Sequence, residues 1–153
     1  MSWLTDTELE RAIVSCDDSR VVEAFRGVFP KDQLPKTHIV PPAFLVVNTD
    51  VSNLPGRHWK AIYIDENYKG EVFDSLATPV SNHVGRFMNR NTRQWKVNRS
   101  MVQHPLSSQC GAYVLYFVTQ RLTFNSLRDL CHSFSSHLNE NERRMRAFYR
   151  HQQ

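Results

Sequence analysis

"QHPLSSQCGAYVLYF", residues 103–117, joins two very different kinds of chain. A polar segment containing Pro105 runs up to Cys110-Gly111, and an apolar run follows at once. The local signals in that run conflict. AYVLYFV is rich in residues that favour strands, while its continuation through TQRL gives a length suited to a buried helix. The helical reading has a chemical consequence. A helix beginning at Cys110 would direct unpaired N–H groups and the positive end of its dipole at the sulfur. Those groups stabilise a thiolate and lower the thiol pKa, as a nucleophilic cysteine requires. Gly111 lets another backbone or a substrate approach closely. The competing reading is a buried structural cysteine, a common fate of a reduced thiol. Such a residue belongs inside the apolar run, whereas Cys110 stands at its lip.

A cysteine nucleophile needs a base within hydrogen-bond reach and a third group to orient that base. In GRHWKAIYID, His58 stands at the start of a predicted strand in which Trp59, Ala61 and Tyr63 alternate with Lys60, Ile62 and Ile64. DENYKG reads as a turn, EVFDS returns as the next strand, and Asp74 lies at its end. Pairing of the two strands puts His58 and Asp74 at the same end of a hairpin. Asp74 can then accept from one imidazole nitrogen and leave the other for the thiol. Taken singly, Asp74 also reads as a turn cap and His58 as a surface strand residue. An oxyanion donor is needed as well. Gln103, in a loop able to fold back on the Cys110 N–H, is one candidate, and Gln109 is its rival.

The rest of the chain supplies an α+β pattern. Thr5 and Glu8 fit a capping box, followed by Leu9, Ile13 and Cys16 at helical spacing. A second helix is expected from about Asp18, with Val22, Phe25 and Phe29 on one face and Pro30 as its stop. AFLVVNT, residues 43–49, reads as a buried strand and RQWKVN as a short one. Thr78-Pro79 reads as the start of a helix carrying Val80, Val84, Phe87 and Met88. Two further helices are expected over about 126–138 and 140–150.

The 153 residues suit one domain, and no apolar run approaches the roughly 18 residues of a membrane span. The opening MSWLTDTELERA lacks the basic start and apolar stretch of a secretory signal. Cys16, Cys110 and Cys131 are an odd, scattered set that suits a reducing compartment rather than a disulfide framework. Net charge is +4, with basic residues gathered in GRFMNRNTRQWKVNR and ERRMRAFYRHQQ. Such an excess reads either as a solvated face or as a surface for a polyanion such as DNA. Cys131, His132 and His137 lack the second ligand pair that a zinc site requires, so no metal is expected.

The order His58, Asp74, Gln103, Cys110 resembles that of the adenovirus maturation protease and its Polinton-type relatives and, more distantly, the SUMO-specific proteases. FLVVNTDVSNLPGRHWKAIYI is similar to that family's strand, Asn-Thr, Gly-containing loop and His-Trp segment; VFDSLATPVS to its acid-bearing strand; VQHPLSSQCGAYVLYFV to its Gln and Ser-x-x-Cys-Gly segment. ELERAIVSC is weakly similar to the adenoviral N-terminal helix. The resemblance implies a single cysteine protease domain over residues 1–153, with a papain-like permuted α+β fold. A central mixed sheet is flanked by helices, and the catalytic cysteine starts a buried helix. It implies Cys110 as nucleophile, His58 as base, Asp74 as orienter, and Gln103 with the Cys110 N–H as oxyanion hole. Trp59 is either a wall of the substrate groove or a packed strand residue. The implied substrates are viral or virus-like capsid and core precursors cut at Gly-containing sites, in the nucleus or virion of an infected cell. A ubiquitin or SUMO-like isopeptidase, and a non-enzymatic DNA-binding or virion protein, are the alternatives. A peptide activator and DNA are implied partners, with Arg143, Arg144 and Arg146 as the DNA-contacting residues. Three features depart from the adenoviral pattern. The acid is Asp rather than Glu, the chain is shorter after Cys110, and no cysteine lies between Asp74 and Cys110 to anchor a disulfide-linked activator.

Overall fold

The computed structural model describes residues 4–49 and 58–152. Its centre is a five-stranded mixed sheet: β1 (Phe25–Pro30), β2 (Ala43–Asn48), β3 (Trp59–Ile64), β4 (Lys69–Phe73) and β5 (Gln94–Val97). The strands lie side by side in chain order. β2, β3 and β4 form an antiparallel meander, while β1 and β5 join the two edges in parallel.

Strand periodicity sorts the side chains onto two faces. Phe44, Val46, Trp59, Ala61, Tyr63 and Phe73 point into one core, with α1 (Asp6–Val14), α4 (Cys110–Gln120), α5 (Leu127–His132) and α6 (Leu138–His151). Leu45, Val47, Ile62, Ile64 and Val72 face the other core, which α3 (Asn82–Asn91) closes with Val84, Phe87 and Met88. β2 and β3 are buried on both faces, which explains their near-continuous apolar sequence. The conflict over residues 110–120 resolves as helix. All of α4 except Tyr116 and Gln120 is buried, so its run is apolar all round rather than on one stripe.

α1 carries the expected capping box. The Thr5 hydroxyl accepts from the Glu8 N–H at 3.1 Å, and the Glu8 carboxylate accepts from the Thr5 N–H at 3.2 Å. The next helix differs from the sequence expectation. α2 covers only Ser19–Ala24, and Phe25 turns extended to open β1. Gly27, at φ 131°, sits in a backbone region that a helix cannot use, at the register shift between Phe25 and Val28. Parallel pairing with β2 thus overrides the helical spacing of Val22, Phe25 and Phe29. α3 likewise starts later than Thr78-Pro79 suggests. Ser81 is its N-cap and Thr78 is engaged elsewhere. The expected 126–138 helix is short, ending at His132.

The aromatic packing of α4 on the sheet supplies much of the burial that holds the two together. Phe117 stacks on Phe73 with ring centroids 5.0 Å apart and meets Phe44 edge-on at 6.3 Å. Phe117→Ala is expected to destabilise the fold by about 3–5 kcal/mol, read as a lowered urea midpoint at unchanged m-value.

Candidate active site

The β3–β4 hairpin brings His58 and Asp74 together. Asp74 follows the last residue of β4, and His58 immediately precedes β3. His58 Nε2 lies 2.5 Å from Asp74 Oδ1, with the two side chains 14% and 4% exposed. The Thr49 N–H donates to the His58 carbonyl at 3.0 Å and fixes the backbone there. The Gly-containing loop singled out in the sequence falls within residues 50–57, outside the described residues.

Asp74 is saturated with donors. Oδ1 also accepts from the Leu76 N–H at 2.9 Å. Oδ2 accepts from the Thr78 N–H at 2.8 Å and the Thr78 hydroxyl at 2.5 Å, and lies 3.3 Å from Lys60 Nζ. Burial alone raises this acid's pKa, but the hydrogen bond and charge of His58, with the Thr78 and Leu76 donors, hold it well below the usual carboxylate range. The Asn98 side chain brackets the Asp74 backbone, accepting from its N–H at 2.8 Å and donating to its carbonyl at 2.7 Å.

Cys110 begins α4, as the helical reading requires, but it does not stand at a wet lip. It is completely buried. Burial pushes its thiol up to about 11, outweighing the Trp59, Gly111 and Cys110 N–H groups that pull it down, and the Asp74 charge adds to the rise. Desolvation is the largest of these influences, so enclosure of the sulfur opposes the acidification expected at a helix start. The influence of the Trp59 N–H places the sulfur beside the residue that follows His58.

The loop before Cys110 is pinned at both ends. The Val102 and Gln103 N–H groups donate to the Ser75 carbonyl at 2.9 and 3.0 Å. The Gln103 amide is fully buried; its oxygen accepts from the Ser75 hydroxyl at 2.5 Å and its nitrogen donates to the Ser107 carbonyl at 3.0 Å. That nitrogen carries a second N–H. The rival, Gln109, has its Nε2 turned to the Glu142 carboxylate at 2.9 Å.

Of the two readings of Trp59 the packed one holds, and Arg144 is less open than a DNA-contacting residue was expected to be. Trp59 is 1% exposed and donates from Nε1 to the Leu4 carbonyl at 3.3 Å, so it is packed rather than lining an open groove. A Cβ on Gly111 would lie 2.7 Å from the Leu4 side chain, which shows how tightly the N-terminal segment covers the start of α4. Arg144 is half-buried, donating to the Ser133 carbonyl at 2.8 Å and lying over the Phe134 ring, so it is no part of an open basic face. Arg143 and Arg146 are exposed. Among the described residues no group of three or more His, Cys, Asp or Glu side chains is placed to hold a metal ion. No helix among them is long and apolar enough to cross a membrane.

Sequence reasoning missed Lys60, Thr78, Ser75, Asn98 and Glu142. Lys60 interrupts an otherwise apolar strand face, and Thr78 stands four residues after Asp74, the reach of a local side-chain turn. For Asn98 and Glu142 the sequence carries no signal, because their partners lie 24 and 33 residues away.

No protein-family model matches the chain. A cysteine protease from a Malawi tick isolate of African swine fever virus is 33% identical over 89 residues, covering 50% of this chain and 33% of the viral protein. Its counterpart from a South African tick isolate, named a SUMO-1 cysteine protease, is 32% identical over the same length. The chain is a distant homologue of these viral proteases. It spans about a third of their length. In the crystal structure of the African swine fever virus protease pS273R, the matching region covers 79% of this chain and 58% of that one, at TM-score 0.57 and 18% identity. The central domain of the uncharacterized Lpg1148 protein of Legionella pneumophila matches 97% of this chain and 99% of its own, at TM-score 0.52 and 13% identity. These likenesses show the α+β fold with its mixed five-stranded sheet.

The Asp74 geometry sets an acid-stability limit. A carboxyl whose folded pKa lies below its ordinary 3.8 contributes stability that is fully present above that value and is lost as pH falls through the folded pKa. Wild type should therefore lose stability progressively below about pH 4. Asp74→Asn should be less stable at neutral pH and show a shallower decline on acidification, measured by urea denaturation across pH.

Proposed function

We propose that this chain is a thiol peptidase in which Cys110, His58 and Asp74 carry out acyl transfer. The observation that carries this reading is the 2.5 Å His58–Asp74 contact, made beside a cysteine that starts a buried helix. Nε2 of His58 is held by the carboxylate, so Nδ1 is the nitrogen left for the thiol. Burial raises the Cys110 pKa, which favours His58 taking the proton as the S–C bond forms, as a general base, over a standing ion pair. The Cys110 N–H and the second Gln103 Nε2 hydrogen stabilise the carbonyl oxygen as it becomes an anion. His58 then protonates the leaving nitrogen as the C–N bond breaks, leaving a thioester. Water attacks that thioester, His58 takes its proton, and the thiol departs re-protonated.

The substrates we assign are polypeptide precursors of a virus or virus-like particle, cut after a small residue such as Gly. The viral origin of the homologues supports the first part. The second rests on the sequence's resemblance to the adenovirus maturation-protease family. Removal of a SUMO-like tag is the second reading, favoured by the name of one viral relative. A reducing compartment suits the buried thiol. Any peptide activator binds without a disulfide between Asp74 and Cys110, where no cysteine occurs.

The test is hydrolysis of fluorogenic Gly-Gly peptides and of SUMO and ubiquitin fluorogenic esters or amides. Wild type should cleave the peptides, and Cys110→Ala and His58→Ala should abolish turnover while preserving the circular dichroism spectrum. Gln103→Ala should lower kcat about 10²-fold, and Gln109→Ala should not act as loss of an oxyanion donor. Cleavage of the SUMO substrate alone favours the tag-removal reading; full activity in Cys110→Ala sinks both.

DNA contact is proposed through Arg143 and Arg146, which are exposed on α6. Binding to a fluorescent duplex should weaken steeply between 50 and 200 mM salt, roughly as counterion release dictates. Paired Arg143→Glu and Arg146→Glu substitutions should flatten that dependence. An unchanged salt slope would remove these residues from the DNA surface.

A further inference from the structure

We propose that Asn141 and Glu142, adjacent residues of α6, are positioning residues that set the geometry of the loop over residues 102–109 and of the Cys110 helix start. This rests on the peptidase reading for its functional meaning. Asn141 is fully buried and Glu142 is 6% exposed, although α6 is otherwise strongly polar in sequence. Asn141 Nδ2 donates to the Val102 carbonyl at 3.0 Å, one residue before Gln103. Its other bonds fix its own amide: Nδ2 to the Ser135 carbonyl at 2.8 Å, and Oδ1 from the Ser135 N–H at 2.8 Å. Glu142 takes the opposite end. Oε1 accepts from Gln109 Nε2 at 2.9 Å, one residue before Cys110. Oε2 accepts a short hydrogen bond from the Tyr113 hydroxyl, one turn into α4, and a long one from the His104 N–H at 3.4 Å.

These two side chains therefore touch the residues on both sides of Gln103, the residue before Cys110 and the first turn of its helix. From the other side the same loop is held at its start by Ser75. A buried carboxylate met by neutral donors is a costly way to fill space, since desolvation is repaid only if every donor is in place. Its effect is directional: it tells Gln109 which way to turn. The Gln109 oxygen has no hydrogen-bond partner, so the amide is oriented through its nitrogen alone. Reversing the amide would set oxygen against carboxylate. With Gln109 locked, Cys110 enters the helix in one register, and Gln103 is left to face the oxyanion. A donor misplaced by about 1 Å costs on the order of 100-fold in rate.

The experiment compares wild type, Glu142→Gln, Gln109→Glu and the double exchange, together with Tyr113→Phe. Steady-state kinetics on the peptide substrate, urea stability, and amide hydrogen exchange over residues 102–113 are measured for each. Glu142→Gln keeps one acceptor oxygen and turns the other into a donor, so Gln109 Nε2 on one side and the Tyr113 hydroxyl with the His104 N–H on the other can no longer all be accepted. It should lower kcat by about 10- to 100-fold with KM within about 2-fold, and raise exchange in the 102–109 loop. The double exchange reinstates a carboxylate facing an amide with the roles reversed, and should recover most of the rate and the protection. A purely structural residue would lower stability and leave kcat per folded molecule unchanged, which would overturn the proposal. Unchanged loop exchange in a folded Glu142→Gln protein would overturn it too. Should Glu142→Gln fail to fold, Tyr113→Phe, which removes one donor and keeps the carboxylate, must show the same direction of change in loop exchange or the proposal falls. If wild type hydrolyses nothing, the peptidase reading fails while the exchange measurements still decide the latch.

Discussion

A carboxylate that is 3% exposed must find donors for both oxygens, and the way Asp74 finds them organises one whole end of the molecule. The donors come from different stretches of chain. His58 precedes β3, Lys60 reaches across from the same strand, and Leu76 and Thr78 come from the turn that leaves β4. Each brings its own segment into register with the sheet edge. The turn beyond β4 is shaped by the bonds to Leu76 and Thr78, which is why α3 begins at Asn82 rather than at Thr78. Asn98 then clamps the Asp74 backbone, and Ser75, next in the chain, takes the loop that leads to Cys110.

The second constraint is the burial of α4. An all-apolar helix has to be covered on every side, and the sheet can cover only one. α1, α5 and α6 close the rest, which brings both Leu4 onto Gly111 and Glu142 onto Gln109 at the N-terminal end of α4. The polar bonds around Cys110 thus follow from apolar packing: the helices that seal α4 also deliver the groups that hold its first turn. A similar arrangement recurs at the other end of α4. Arg121, just after α4, forms a two-point pair with Glu71 of β4 at 2.6 and 2.8 Å, and Glu71 also accepts from the Leu127 N–H that opens α5. Buried ion pairs of this kind fix relative position more than they add stability.

Burial also sets the chemistry. The same desolvation that raises the Cys110 pKa acts to raise that of Asp74, whose partners pull it back down. The two groups are driven in opposite directions by their surroundings.

Much was legible in the sequence. The alternation in HWKAIYI assigned Trp59, Ala61 and Tyr63 to one face and Ile62 and Ile64 to the other, and the two cores divide along that line. The Thr5–Glu8 cap, the hairpin turn, and the convergence of His58 with Asp74 were readable too, because each depends on neighbours a few residues apart or on one paired register. Tertiary structure decided the rest. Residues 25–29 carry helical spacing, yet they pair with β2, since a strand edge some twenty residues away offers bonds that local periodicity cannot reveal. The run after Cys110 was apolar enough for strand or helix, and only its enclosure by helices on the side away from the sheet selected the latter. Gln103 and Gln109 are alike as residues; Glu142, 33 positions from Gln109, distinguishes them. Cys110 looked like the edge of a wet loop because sequence shows what lies beside it along the chain. Its protonation depends on what lies beside it in space, and desolvation is a property of that enclosure.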